Sequence, residues 1–208
     1  MKLFLYSSYL MAHEHSRALS QLVGKEPAAI RVAAIANAVD VIPDAHTWVG
    51  ESRDSLKRHG AHVEPVDLRD WQQNPVGLRE HLAGNDVLWV CGGHQFYLRW
   101  ILRASGADDI IKDLVTHGMV YAGWSAGAVV AGPTLRHFEL FDDPSEAPDV
   151  IWDGLGLTNR VVIPHSDLDD FAEGMHQINQ RLTEAGVDTV PLREDQALMI
   201  DGDEQMVL

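Results

Sequence analysis

The sequence predicts an α/β fold in which a mostly parallel central sheet carries helices on both faces. Short apolar runs suited to buried strands alternate with amphipathic stretches of helical period, which is the pattern such a sheet requires. Glycines follow most of the helical stretches, where a left-handed cap would end them. Length is the third observation. At 208 residues and 46% hydrophobic, with mean hydropathy −0.12, the chain suits one compact domain over 1–208 with a full core.

The first strand is expected at 2–7 (KLFLYS). Residues 3–12 are apolar after Lys2, but Glu14 and two histidines follow at once and no small-residue cleavage site appears, so a core strand fits better than a signal peptide. A helix over 15–23 stops at Gly24, a strand follows at 30–36, and a helix over 46–59 stops at Gly60. A strand at 62–66 leads to a helix at 76–83 before Gly84, and the strongly apolar strand 86–91 leads to helices at 95–104 and 107–117 before Gly118. Residues 114–135 hold no charged side chain, the length of a membrane span. Four glycines, His117 and Pro133 interrupt that stretch, and it reads as a buried strand at 119–123, a tight turn and a buried helix at 126–131. The acidic, turn-rich stretch 136–159 is longer than an ordinary connection, as functional loops often are. A strand at 160–164, a helix over 168–185 before Gly186, and strands 197–200 and 205–208 flanking the hairpin signal Asp201-Gly202 complete the chain.

Sixteen basic against 31 acidic residues leave a net charge of −15. Such a surface repels phosphate backbones and anionic membranes, so a small molecule is the expected partner rather than nucleic acid or lipid. Cys91 is the one cysteine and can form neither an intrachain disulfide nor a multi-cysteine zinc site. A cytoplasmic location without cofactor or structural metal follows as the expectation.

The chemistry concentrates at Gly123-Trp124-Ser125-Ala126-Gly127, a G-x-S-x-G motif lying between an expected strand and an expected helix. A sharp turn there holds a hydroxyl at the carboxyl edge of the sheet, and the helix start offers N–H groups to a developing oxyanion. A serine nucleophile needs a base, and the base an orienting acid. Of eleven histidines, His165 ends the apolar run Val161-Val162-Ile163-Pro164, where a strand end would bring it to the edge that carries Ser125. His13 and His15 form an H-x-H pair with no partner of metal-ligand spacing, so no metal site is expected. The acid has two candidate regions: Glu194 with Asp195 after another apolar segment, and Asp142, Asp143 and Glu139 in the acidic loop. Topology favours Glu194. Gly92-Gly93, after the strand VLWV, lets the Gly93 N–H join that of Ala126 as an oxyanion hole, while Cys91 is placed to pack rather than react.

Together these motifs resemble the peptidase E (alpha-aspartyl dipeptidase) family, with cyanophycinase a more distant relative. The resemblance rests on the order of a Gly-Gly turn, GWSAGA with an Ala-rich helix running into Gly-Pro-Thr-Leu-Arg, and Gly-Leu-Gly-Leu ahead of a Pro-His strand end. It implies a three-layer sandwich akin to class I glutamine amidotransferases, flavodoxin-like in architecture. It also implies Ser125 as nucleophile, His165 as base, Gly93 and Ala126 as oxyanion donors, and, from Arg-Glu-Asp-Gln-Ala, Glu194 as the acid with Asp142 in reserve. The inferred order Ser125, His165, Glu194 differs from the Ser, acid, His order of α/β-hydrolases.

Two departures bear on substrate. The family's Gly-Gly-Asn-Thr reads Gly-Gly-His-Gln here, so His94 or Gln95 inherits the asparagine's contact, and an ungapped count sets Leu140 where the dipeptidase carries an aspartate in the loop. The expected activity is a serine peptidase acting on short peptides, N-terminal aspartyl dipeptides among them, through an acyl-enzyme. Arg136 is then the candidate for binding an acidic side chain, with Arg160 and Arg193 behind it. A cyanophycinase-like, amidase or esterase activity is the alternative, and a catalytically silent small-molecule binding protein on the same scaffold is the second. The oligomeric state, monomer or homodimer, is left open.

Overall fold

Alternation along the buried strands sets the architecture, which we describe from a computed structural model covering residues 1–208. The elements run β1 (Lys2–Tyr6), α1 (His13–Val23), β2 (Arg31–Ile35), α2 (His46–Arg58), β3 (His62–Val66), α3 (Pro75–Ala83), β4 (Val87–Val90), α4 (Gln95–Ala104) and α5 (Ala107–Thr116). They continue with β5 (Val120–Trp124), α6 (Ala126–Val129), β6 (Arg160–Ile163), α7 (Asp169–Glu184), β7 (Asp188–Pro191), β8 (Ala197–Asp201) and β9 (Glu204–Val207). Seven strands form one sheet in the order β3-β2-β4-β5-β1-β8-β9, parallel from β3 to β1 and antiparallel at β8 and β9.

Because side chains alternate across a strand, Leu3, Leu5, Leu88, Val90 and Tyr121 face one core and Phe4, Tyr6, Trp89, Ala122 and Trp124 the other. The first core is closed by α3 to α7 and the second by α1 and α2, giving three layers. Cys91 lies buried in the second, where burial pushes its thiol up to about 12. No helix is long and apolar enough to cross a membrane.

Local chemistry fixes the helix ends. Asn74 caps α3 by accepting the Gly77 N–H at 2.9 Å, with Pro75 at the first helical position. Gly24, Gly60, Gly118 and Gly186 follow their helices with positive φ, as the sequence predicts, but Gly84 has φ −76 and closes α3 in a right-handed turn. Helix α6 is shorter than the expected 126–131, because the carbonyls of Val130 and Ala131 accept the N–H groups of Leu155 and Leu157. The long loop therefore returns onto α6, the helix that leaves the sharp strand-to-helix turn, or elbow, at Ser125.

Two differences concern strands. Residues 188–191 form β7, hidden in the sequence by Pro191 and the polar Asp188 and Thr189. Strand β6 does not join the central sheet but pairs with β7 as a separate parallel ribbon, packed against α6 and α7.

One buried ionic cluster ties α4, α5 and the loop together. Arg99, 1% exposed, donates to Asp108 at 3.1 Å and to the Asp153 carbonyl at 2.8 Å, and Arg103 donates to Asp108 at 2.6 Å. Burial would push the Asp108 carboxyl up, but the hydrogen bonds and charges of Arg103 and Arg99 outweigh it and hold it below its ordinary value. Asp108→Ala strands the Arg99 charge and should cost roughly 3–5 kcal/mol near neutral pH, read from urea denaturation. A carboxyl depressed in the folded state adds stability above the ordinary aspartate range and loses it as pH falls through the folded value. The gap between wild type and variant should therefore narrow in acid; a gap that is small near neutrality, or constant with pH, would contradict this.

Candidate active site

Parallel strands end on the same edge, and that edge gathers Ser7 after β1, Gly92 and Gly93 after β4, and Ser125 after β5. At Ser125 the backbone turns with φ 49 and ψ −118, a conformation costing a non-glycine residue about 1–3 kcal/mol. The flanking glycines permit it. A Cβ on Gly123 would strike the Gly127 carbonyl, and one on Gly127 the Val90 carbonyl. The Ser125 N–H donates to the Tyr6 carbonyl at 3.0 Å, and the buried Tyr121 hydroxyl donates to the Gly127 carbonyl at 2.6 Å.

The structure brings the three residues inferred for catalysis together. His165 Nε2 lies 2.9 Å from Ser125 Oγ, and His165 Nδ1 lies 2.5 Å from Glu194 Oε2. An ionised carboxylate only accepts, so Nδ1 carries the imidazole proton and Nε2 is left to accept the serine O–H. Burial pushes the Glu194 carboxyl up, but hydrogen bonds from His165 and Ser8 and the charge of the imidazole side outweigh it, leaving it below its ordinary value.

His165 reaches Ser125 by a route that strand-end reasoning does not describe, since β6 lies off the central sheet. Its backbone takes φ 57, and its N–H donates to Ser7 Oγ at 2.8 Å, which fastens the ribbon to the end of β1. Glu194 is held in turn by its own N–H donating to Asp167 Oδ1 at 2.7 Å. Ser7, Ser8 and Asp167 are supporting residues that sequence reasoning missed. Position was the one available signal: Ser7 and Ser8 end the first strand, and Asp167 follows His165 by two residues.

The Gly-Gly turn packs directly on the elbow. A Cβ on Gly92 would meet the Trp124 ring and Ser125 Cβ, while Gly93, at φ 139, lies where a side chain would strike the Ala38 backbone. The N–H groups of Gly93 and of Ala126, the first residue of α6, donate to no acceptor within the protein. Gly93 lines the same cavity as Ser125, and Ala126 follows the serine in the chain.

The remaining candidates are placed differently. His94 Nδ1 accepts the Tyr97 N–H at 3.2 Å and caps α4, while its Nε2 donates to the Asp143 carbonyl at 3.0 Å. Gln95 Nε2 donates to the Phe138 carbonyl at 3.3 Å. Both side chains fasten the acidic loop to α4 instead of entering the cavity, which corrects their reading as substrate contacts. Asp142, the reserve acid, makes no bond to His165; its Oδ2 accepts the Gln95 N–H at 3.0 Å on another wall of the same cavity. Arg136 is not in the cavity either, because its guanidinium lies 5.7 Å from the Trp152 ring centroid on the surface. Arg160 pairs with Asp188 at 2.9 Å and Arg193 with Asp195 at 3.3 Å.

The cavity itself measures about 350 Å³, small for a ligand site, and its walls are mostly apolar and aromatic. Trp48 and Phe141 stand at its rim, 44% and 41% exposed.

Comparison with known proteins gives a consistent result. The sequence model of peptidase family S51 matches residues 3–208. An uncharacterized peptidase of Listeria monocytogenes is 30% identical over 175 residues, covering 80% of this chain and 83% of the relative. Peptidase E of Streptomyces coelicolor is 28% identical over 196 residues, covering 89% and 74%. In fold, the chain is similar to a Listeria monocytogenes crystal structure provisionally described as a peptidase E, with TM-score 0.85, 24% identity and coverage of 100% and 97%.

Gly92→Ala tests the packing of the turn on the elbow. Overpacking there should destabilise the protein by roughly 1–3 kcal/mol, read as a lower urea midpoint at unchanged slope. An unchanged midpoint would show that Trp124 and Ser125 do not crowd the glycine.

Proposed function

The chain belongs to peptidase family S51, and from that premise we propose that it is a serine peptidase that cleaves short peptides through an acyl-enzyme on Ser125. The observation that carries this reading is the continuous line of hydrogen bonds from Glu194 through His165 to Ser125 Oγ. Peptidase and hydrolase activity come with the family.

In the proposed reaction Ser125 Oγ attacks the scissile carbonyl carbon while His165 Nε2 takes the hydroxyl proton. The new oxyanion accepts the N–H groups of Gly93 and Ala126. As the tetrahedral intermediate collapses, the carbon–nitrogen bond breaks and the leaving amine takes the proton from Nε2. Water then attacks the acyl-enzyme, gives a proton to Nε2, and the carbon–oxygen bond to Ser125 breaks as the serine recovers that proton. Glu194 keeps the imidazole in one tautomer and offsets its positive charge in both halves. A small cavity favours short substrates over a polymer, and no lysine or arginine lines it to balance an aspartyl side chain.

Ser125→Ala should remove turnover of p-nitrophenyl ester and peptide substrates, leaving a residue orders of magnitude lower. Glu194→Gln, which offers His165 a hydrogen bond of the wrong kind, should lower kcat by on the order of 10³–10⁴ with the fold intact by circular dichroism. Wild-type rates in either variant would sink the proposal.

A further inference from the structure

The cavity beside Ser125 carries the wrong charge for an acidic substrate residue. Two carboxylates, Asp142 and Glu194, line it, and no lysine or arginine does. Glu194 is committed to His165. Asp142 is not committed: Oδ2 accepts only the Gln95 N–H, Oδ1 meets no donor, and the side chain stays 15% exposed. His94 stands 4.0 Å away, but its Nδ1 already accepts the Tyr97 N–H and so turns no proton toward the carboxylate. Burial pushes the Asp142 carboxyl above its ordinary value, against the lowering effects of nearby His94 and of the Gln95 N–H.

We propose that Asp142 binds the free α-ammonium of the substrate's N-terminal residue, so that the enzyme is an exopeptidase for N-terminal residues with uncharged, apolar side chains. This rests on the serine peptidase reading above and names its substrate class. The α-nitrogen of a residue lies about 2.5 Å from its own carbonyl carbon. An N-terminal residue attacked by Ser125 therefore brings its ammonium beside the elbow, with its carbonyl oxygen at Gly93 and Ala126. Asp142 is fastened to Gln95, two residues beyond Gly93, and lines the same cavity as Gly93 and Ser125. The side chain of the same residue is left to the apolar wall formed by Ile42, Trp48, Phe141 and Phe171. An aspartate there would set a third carboxylate in the cavity, with the ammonium already paired to Asp142 and no lysine or arginine to balance it.

The test compares Leu-p-nitroanilide, N-acetyl-Leu-p-nitroanilide and Asp-p-nitroanilide on the wild type, with fluorophosphonate labelling of Ser125 alongside. The free leucyl substrate should exceed the acetylated one in kcat/KM by roughly 10- to 100-fold, the scale of a charge-assisted bond, and should exceed the aspartyl one. Asp142→Asn keeps an acceptor for the Gln95 N–H and removes the charge, so the ratio of free to acetylated substrate should fall toward one, mostly through KM. The wild-type ratio needs no variant and stands even if that variant fails to fold. Labelling at Ser125 with equal rates on free and acetylated substrates, or a preference for the aspartyl substrate, overturns this inference alone. A wild type that neither labels nor cleaves overturns the serine peptidase reading and this inference with it.

Discussion

A strained backbone at Ser125 is the constraint around which the carboxyl edge of the sheet is organised. Its cost, about 1–3 kcal/mol, is an appreciable part of the 5–15 kcal/mol that separates a folded domain from its unfolded chain. The conformation must therefore be over-determined by its neighbours. The Tyr6 carbonyl holds the serine N–H, the Tyr121 hydroxyl holds the Gly127 carbonyl, and close backbone contacts at Gly123 and Gly127 leave the chain no room to relax. Even the truncation of α6 serves this end. The carbonyls of Val130 and Ala131, just beyond it, are taken by Leu155 and Leu157, so the returning loop braces the elbow from behind.

The same economy governs the charges. In a chain of net charge −15, a further carboxylate beside an imidazole is tolerable because His165 and Ser8 both hydrogen-bond to it. Glu194 meets His165 and Ser8 through its side chain and Asp167 through its backbone, and its carboxyl is held ionised. Asp142 has one backbone donor and only His94, 4.0 Å away, beside it, and burial moves its carboxyl the other way. Two carboxylates in one small cavity are thus driven apart by their surroundings, which is how environment divides roles between like groups.

Legibility of the fold and site from sequence follows the range of the interaction concerned. The elbow at Ser125 is local: a strand, a turn and a helix within a few residues, with glycines where backbones touch, and the sequence shows all of it. The buried parallel strands are legible for the same reason, as continuous apolar runs. His165 and Glu194 are legible as polar residues closing apolar segments, yet the strand ahead of His165 lies in the β6–β7 ribbon and not, as a strand end near Ser125 suggests, in the central sheet. Which sheet a four-residue strand joins is decided by packing on α6 and α7, and no local pattern records that. Strand β7 is hidden by a proline and two polar residues. Arg136 misleads because closeness in sequence to the elbow helix is not closeness to the cavity; the loop turns it onto Trp152. His94 and Gln95 mislead in the opposite way, being adjacent in space to the site but consumed by capping and loop anchoring. The aromatic walls come from Trp48, Phe141 and Phe171, which lie far apart in the chain and meet only in the fold.

The central claim is that Ser125 becomes acylated by way of His165. Mass spectrometry of the protein quenched during turnover of p-nitrophenyl acetate tests it most directly. One acetyl group is expected on the peptide containing Ser125, accumulating when Glu194 is intact. Product formation with no acyl group at Ser125, or with the group on another residue, would contradict it.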